Sequence, residues 1–146
     1  PTGDSDAGLS AFNDVHALLP MLAGGEIARA ERWIARCAEQ ALAADQAGRS
    51  NHRTARELGL PLMRGLLALA RGDGEGAAAT LYPLRAGAQA LGGSHAQRDF
   101  IDQSLLAACA RGGPRPLAAA LLRERGLGRP ATPLARHWSA RLNVQA

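Results

Sequence analysis

The sequence predicts an all-α protein: a right-handed array of antiparallel helix hairpins, about seven helices in a row, forming an α-solenoid. Three observations carry this. Hydrophobic residues make up 47 % of the chain but aromatics only 3 %, so the interior is built of Ala and Leu. That suits close helix packing and suits a β-sandwich poorly, because β-branched and aromatic side chains are scarce. Apolar residues also recur at i, i+3 and i+4 in segments separated by Gly and Pro punctuation. Third, three turns look alike: Ala23-Gly24-Gly25-Glu26, Ala70-Arg71-Gly72-Asp73 and Ala110-Arg111-Gly112-Gly113. Gly25, Gly72 and Gly112 are 47 and 40 residues apart, a period expected of hairpins that stack because none can bury its own face alone.

The elements follow in order. Residues 8–22 form a first helix with Leu9, Phe12, Val15, Leu18, Leu19 and Leu22 on one stripe, capped by Ser10 or Asp6 and bent by Pro20. After Gly24-Gly25, Glu26 opens a second helix whose apolar face is Ala30, Trp33, Ile34, Cys37, Ala41 and Leu42. Asp45 to Asn51 is polar and reads as a linker. The third helix covers about His52 to Arg71. Pro61 either kinks it or delays its regular part to near Leu60. Asp73 is placed to cap the fourth, about Glu75 to Leu91, in which Pro83 implies a bend. Gly92-Gly93 ends that helix. Ser94-x-x-Gln97 is a capping box that opens the fifth, which runs to Gly112-Gly113. Pro114 and Pro116 stand at the first positions of the sixth, where a missing N–H leaves no bond unmade. Thr132-Pro133 starts a short seventh with Leu134, Trp138 and Leu142 inward.

Specific polar residues concentrate in the run Gly92 through Phe100. At 100° per residue, Arg98 falls on the side of Ile101 and Leu105, so it is expected as a brace directed at the core and tied to a carboxylate. Ser94, Gln97 and Arg98 then form a structural polar brace. His95, Asp99 and Asp102 share an adjoining polar face.

The middle hairpin fits the tetratricopeptide pattern, since Gly65, Gly72 and Ala77 keep the offsets of that motif's small residues, with Leu81 and Leu84 in register. Four runs extend the likeness: Gly59-Leu60-Pro61-Leu62, Leu81-Tyr82-Pro83-Leu84-Arg85, Gly92 through Asp99, and Leu121-Leu122-x-Glu124-Arg125. In these runs the chain resembles the carboxy-terminal part of the tetratricopeptide-repeat protein 38 family, over about residues 8–142 and most closely over 57–126. Members of that family are much longer. The resemblance thus implies a tetratricopeptide-like fold and a single domain, 1–146, that is the C-terminal piece of a longer chain. The opening Pro-Thr-Gly-Asp-Ser-Asp, which has no basic or apolar leader character, fits a cut end. The resemblance brings no activity, substrate or cofactor with it.

All 17 basic residues are Arg, and the net charge is +4. Residues 1–46 carry seven acids and three Arg, whereas 47–146 carry six acids and fourteen Arg. The Arg residues are spread along every helix without a basic block or interleaved aromatics, so nucleic acid is not the expected partner. The imbalance leaves an acidic partner for the second half as an open alternative. No apolar run reaches membrane-spanning length. Cys37 and Cys109 fall on apolar stripes and read as buried free thiols, which suits a reducing cytoplasm. His16, His52, His95 and His137 stand one per region without metal-ligand spacing. No metal, cofactor or catalytic residue is assigned.

The function expected is a protein–protein interaction scaffold with a protein or peptide partner. Its concave face is made by the first helix of each hairpin and includes Arg64, His95, Asp99 and Gln103. The competing expectation is a small-ligand-binding or enzymatic domain using residues 94–99, chiefly His95, Arg98 and Asp99. A homodimer closed through an uncovered apolar surface is the third.

Overall fold

The computed structural model describes residues 7, 10–43, 50–91, 95–126 and 132–143. Among these there is no strand, and the chain forms seven successive helices. Helix α1 is Ala11–Ala23 and α2 is Ile27–Leu42. Helix α3 is continuous through an α-helical Ser50–Thr54, a π-helical turn Ala55–Gly59 and an α-helical Leu60–Ala70. Helix α4 is α-helical over Gly74–Leu81 and tightens to 3₁₀ over Tyr82–Leu91. Helices α5, α6 and α7 are His95–Cys109, Arg115–Gly126 and Pro133–Leu142. No helix among the described residues is long and apolar enough to cross a membrane.

The three look-alike turns share one geometry. Gly25, Gly72 and Gly112 take φ of +71°, +84° and +99°, in the left-handed region where a Cβ is penalised. In each, the next N–H reaches a carbonyl five residues back: Glu26 to Met21 at 2.8 Å, Asp73 to Ala68 at 3.0 Å, Gly113 to Ala108 at 3.0 Å. This is the Schellman closure, which satisfies carbonyls that the helix end leaves without donors. Asp73 then caps α4 by accepting from the Gly76 N–H at 2.8 Å, and Thr132 caps α7 by accepting from Ala135 at 3.1 Å. Ser10 precedes α1 without a side-chain cap bond.

Pro20 lies inside α1, and the two further interior prolines, Pro61 and Pro83, change how the chain winds. Pro61 has no N–H to donate to Glu57, and its ring crowds that carbonyl. The preceding turn widens instead: the Leu60 N–H bonds to the Ala55 carbonyl, five residues earlier. Pro83 cannot donate to Ala79, and from Tyr82 onward the chain winds more tightly.

Packing runs along the chain. Each helix from α1 to α7 lies against the next among the pairs α1–α2, α2–α3, α3–α4, α4–α5, α5–α6 and α6–α7, and α1 also packs on α3 and α3 on α5. The most extensive contact is between α3 and α4, where Gly65 admits Leu81: a Cβ at 65 would lie 2.6 Å from Leu81 Cδ2. The core is mainly aliphatic, with Leu18, Leu62, Met63, Leu81, Ile101, Leu105, Leu106, Leu121 and Leu122 fully enclosed. Trp33 joins α2 to α1 by donating its Nε1–H to the Asp14 carbonyl at 3.0 Å. Cys37 and Cys109 are buried thiols in no disulfide, as expected.

Equivalent arginines connect successive turns. Arg71, second residue of the middle turn, pairs with Glu31 just beyond the first turn. Arg111, in the same place of the third turn, donates to the Leu69 carbonyl beside the middle turn at 2.8 Å. Gly74 and Gly113 let these two turns abut, since a Cβ on Gly74 would strike the Ala108 and Arg111 carbonyl oxygens.

Three apolar positions expected on buried stripes are exposed: Phe12, Leu134 and Leu42, the last at 62 %. Each stands at the edge of its stripe. In α7 the burying face is Ala135, Trp138 and Leu142, an i, i+3, i+7 set that leaves Leu134 outside. Phe12 lies beside the Ala11, Val15, Leu18 stripe and rests on His16, ring centroids 4.0 Å apart. Leu42 follows Ala41 by 100°, past the α2 face.

Candidate functional site

Two arginines gather the acids of α5 and α6. Arg85, on the 3₁₀ stretch of α4, donates Nε–H to Asp102 at 2.7 Å and an Nη2–H to Glu124 at 2.6 Å. Arg125 lies 2.5 Å from Asp99 and 3.9 Å from Asp102. Asp102 is thus shared between the two guanidiniums, and three helices are tied at one point. Partial burial pulls the Arg85 pKa down, but hydrogen bonds and charge from Asp102 and Glu124 outweigh it and hold the guanidinium above its ordinary value. Its guanidinium also stands 5.9 Å from the Tyr82 ring centre.

This cluster walls a cleft of about 520 Å³ lined by Tyr82, Pro83, Arg85, Ala86, Ala88 and Asp102. The cleft's charged groups are engaged with one another, the arrangement of a brace. Among the described residues no group of three His, Cys, Asp or Glu could hold a metal ion.

Ser94 lies outside the described residues, as do the side chains of His95, Gln97 and Arg98; the backbone of the last three is helical. Asp99 faces Arg125 of α6. Gln103 is half-buried and accepts from Trp138 Nε1–H of α7 at 2.5 Å, so α5 touches α7 as α1 touches α3; its own Nε2 has no partner among the described residues. Arg64 is exposed near the middle of α3. The tie expected of Arg98 lies outside the described side chains; the Arg–carboxylate pairs described in this region are made by Arg85 and Arg125. Arg85, Asp99, Glu124 and Arg125 belong to three of the four sequence runs singled out above, a signal that those runs converge. Asp102 had been read only as part of a polar face.

The exposed side of α3 presents Arg53, Arg56, Glu57 and Arg64. Arg53 is neutralised by Glu57 at 2.9 Å. Arg56 and Arg64 have no ion pair among the described residues. An i→i+5 closure spends one extra residue in its turn, so these two, eight apart in sequence, take the angular relation of an i, i+7 pair on one face. Helix α1, packed on α3, exposes Phe12, Asn13 and His16. A second cleft of about 450 Å³ opens at the π-turn, lined by Arg53, Thr54, Glu57, Leu58, Pro83, Leu84 and Gly87.

No family model matches this chain, and no solved structure matches it. The fold defines its class, an all-helical protein of successive packed helices.

Proposed function

We propose that the chain is a tetratricopeptide-like interaction scaffold, three hairpins and a closing helix stacked in line, whose first-helix face receives a protein or peptide segment. The likeness to the tetratricopeptide-repeat protein 38 family rests on the sequence runs alone and belongs to this proposal. The observation that carries the reading is the repetition of contacts between hairpins. Arg71 and Arg111 occupy the same turn position and each reaches back to the preceding hairpin. The helices that would be first in each unit, α1, α3 and α5, pack on one another in order, and Trp138 continues the series to α7. Stacked hairpins of this kind leave one face of first helices for a partner.

The test uses the burial of both native thiols, Cys37 and Cys109. Arg64→Cys, labelled with a bulky maleimide, should abolish binding of peptides selected from a random display library. The same adduct at Glu39→Cys on α2 should leave it intact. Binding that survives the adduct on α3 and is lost with the adduct on α2 rejects this reading.

A further inference from the structure

We infer that the α3 face selects an acidic peptide, one whose carboxylates engage Arg56 and Arg64; this rests on the scaffold reading above and names its partner's chemistry. The charge ledger of the second half supplies the argument. Of its six acids, Glu57, Asp99, Asp102 and Glu124 are in ion pairs and Asp73 caps a helix. The sixth, Glu75, sits in the first turn of α4, where the helix dipole favours a negative charge. Each side-chain carboxylate of 47–146 thus has a place elsewhere in the fold, and among the described residues none pairs with Arg56 or Arg64.

Helix α1 does not balance them either. Its one acid, Asp14, is buried, and the residues it exposes, Phe12, Asn13 and His16 among them, include no carboxylate. The two guanidiniums are spaced along the axis by roughly 10 Å, at about 1.5 Å per residue over an i, i+7 relation. A peptide in the polyproline II conformation advances about 3.1 Å per residue with about three residues per turn, so acids three positions apart lie on one side and would meet both. Two discrete charges, with Arg53 already neutralised by Glu57, suit separate carboxylates better than the unbroken phosphate row of a nucleic acid. The exposed part of Phe12 offers an apolar contact to such a peptide.

A random-peptide display selection on three proteins tests this: the native chain, R56E/R64E, and R115E/R123E, which makes the same change of charge on α6. Circular dichroism confirms that each is helical, and R56Q/R64Q serves as the milder variant. The expected result is enrichment of Asp and Glu among peptides selected by the native chain. The affinity of the best of them, read by fluorescence anisotropy, should fall about tenfold or more in R56E/R64E and stay within about twofold in R115E/R123E. Selected peptides that need the α3 face but carry no acidic excess overturn this inference and leave the scaffold reading standing. Peptides that bind R56E/R64E as well as the native chain overturn it, and so does equal loss in R115E/R123E. A single-stranded oligo(dT) that binds through Arg56 and Arg64 while no acidic peptide is selected overturns it in favour of nucleic acid.

Discussion

Gly65 and Leu81 meet where α3 and α4 cross, so closely that a single added carbon on Gly65 would lie 2.7 Å from Leu81 Cγ. Leu81 is fully enclosed and cannot swing aside. Alanine at 65 gains about 1 kcal/mol of helix propensity, and overpacking costs about 1–3 kcal/mol. Gly65→Ala should therefore lower stability on balance, and Gly65→Ala/Leu81→Val should recover part of the loss. Urea denaturation of the two variants and of Leu81→Val alone checks the coupling; additive effects would show that the contact is not tight.

Asp102 serves two arginines, whereas Glu124 serves one and is half exposed. Asp102→Ala leaves Arg85 and Arg125 partly buried and poorly matched, a loss of about 1.5–3 kcal/mol for charged hydrogen bonds. Glu124→Gln should cost about 0–1 kcal/mol, as for a surface pair. Chemical denaturation at low and high salt checks both, with the Glu124 effect shrinking as salt rises.

Nothing stands within 4 Å of a Cβ added to Gly25, Gly72 or Gly112. Replacement by Ala is thus opposed by the left-handed backbone alone, at about 1–2 kcal/mol. The three single variants should lose similar stability, and Asn at the same sites should lose less. Thermal melts of the six variants check this, and a cost confined to one turn would contradict their equivalence.

Burial pushes the Cys109 thiol pKa up, more than its hydrogen bonds to backbone groups of Ala118 and Cys109 lower it. The folded protein therefore holds that proton longer than the unfolded chain, whose thiol titrates near about 8.5. This contribution to stability is fully present below the unfolded value and is lost as pH rises toward and through the folded one. Cys109→Ala should flatten the fall in Tm between about pH 7 and about pH 10, relative to the native chain. An unchanged alkaline slope would contradict it.

Gly and Pro made much of this fold readable in advance. The Gly25, Gly72 and Gly112 turns are visible because a residue without Cβ accepts positive φ most easily, and all three close in the same way. Pro61 marks the start of the regular α-helical part at Leu60, one of the two forms expected, but neither it nor Pro83 tells whether the chain widens or tightens there, because that is chosen by what packs around the turn. That is also why the ionic cluster was only half legible. Asp99 and Asp102 are readable as part of a polar face of α5 at 100° per residue, while Arg85 approaches from a 3₁₀ stretch on which that angle does not hold.

The in-line stacking of hairpins is tested most directly by methyl–methyl nuclear Overhauser effects in a protein labelled at Ile, Leu and Val. The expected spectrum connects methyls of α1 with those of α3, and of α3 with those of α5. It holds no cross-peak from Val15, Leu18 or Ile34 to Leu121, Leu122 or Leu142. Cross-peaks between those two sets would mean that the first and last hairpins close on each other, and the account of a linear array with an open first-helix face would be wrong.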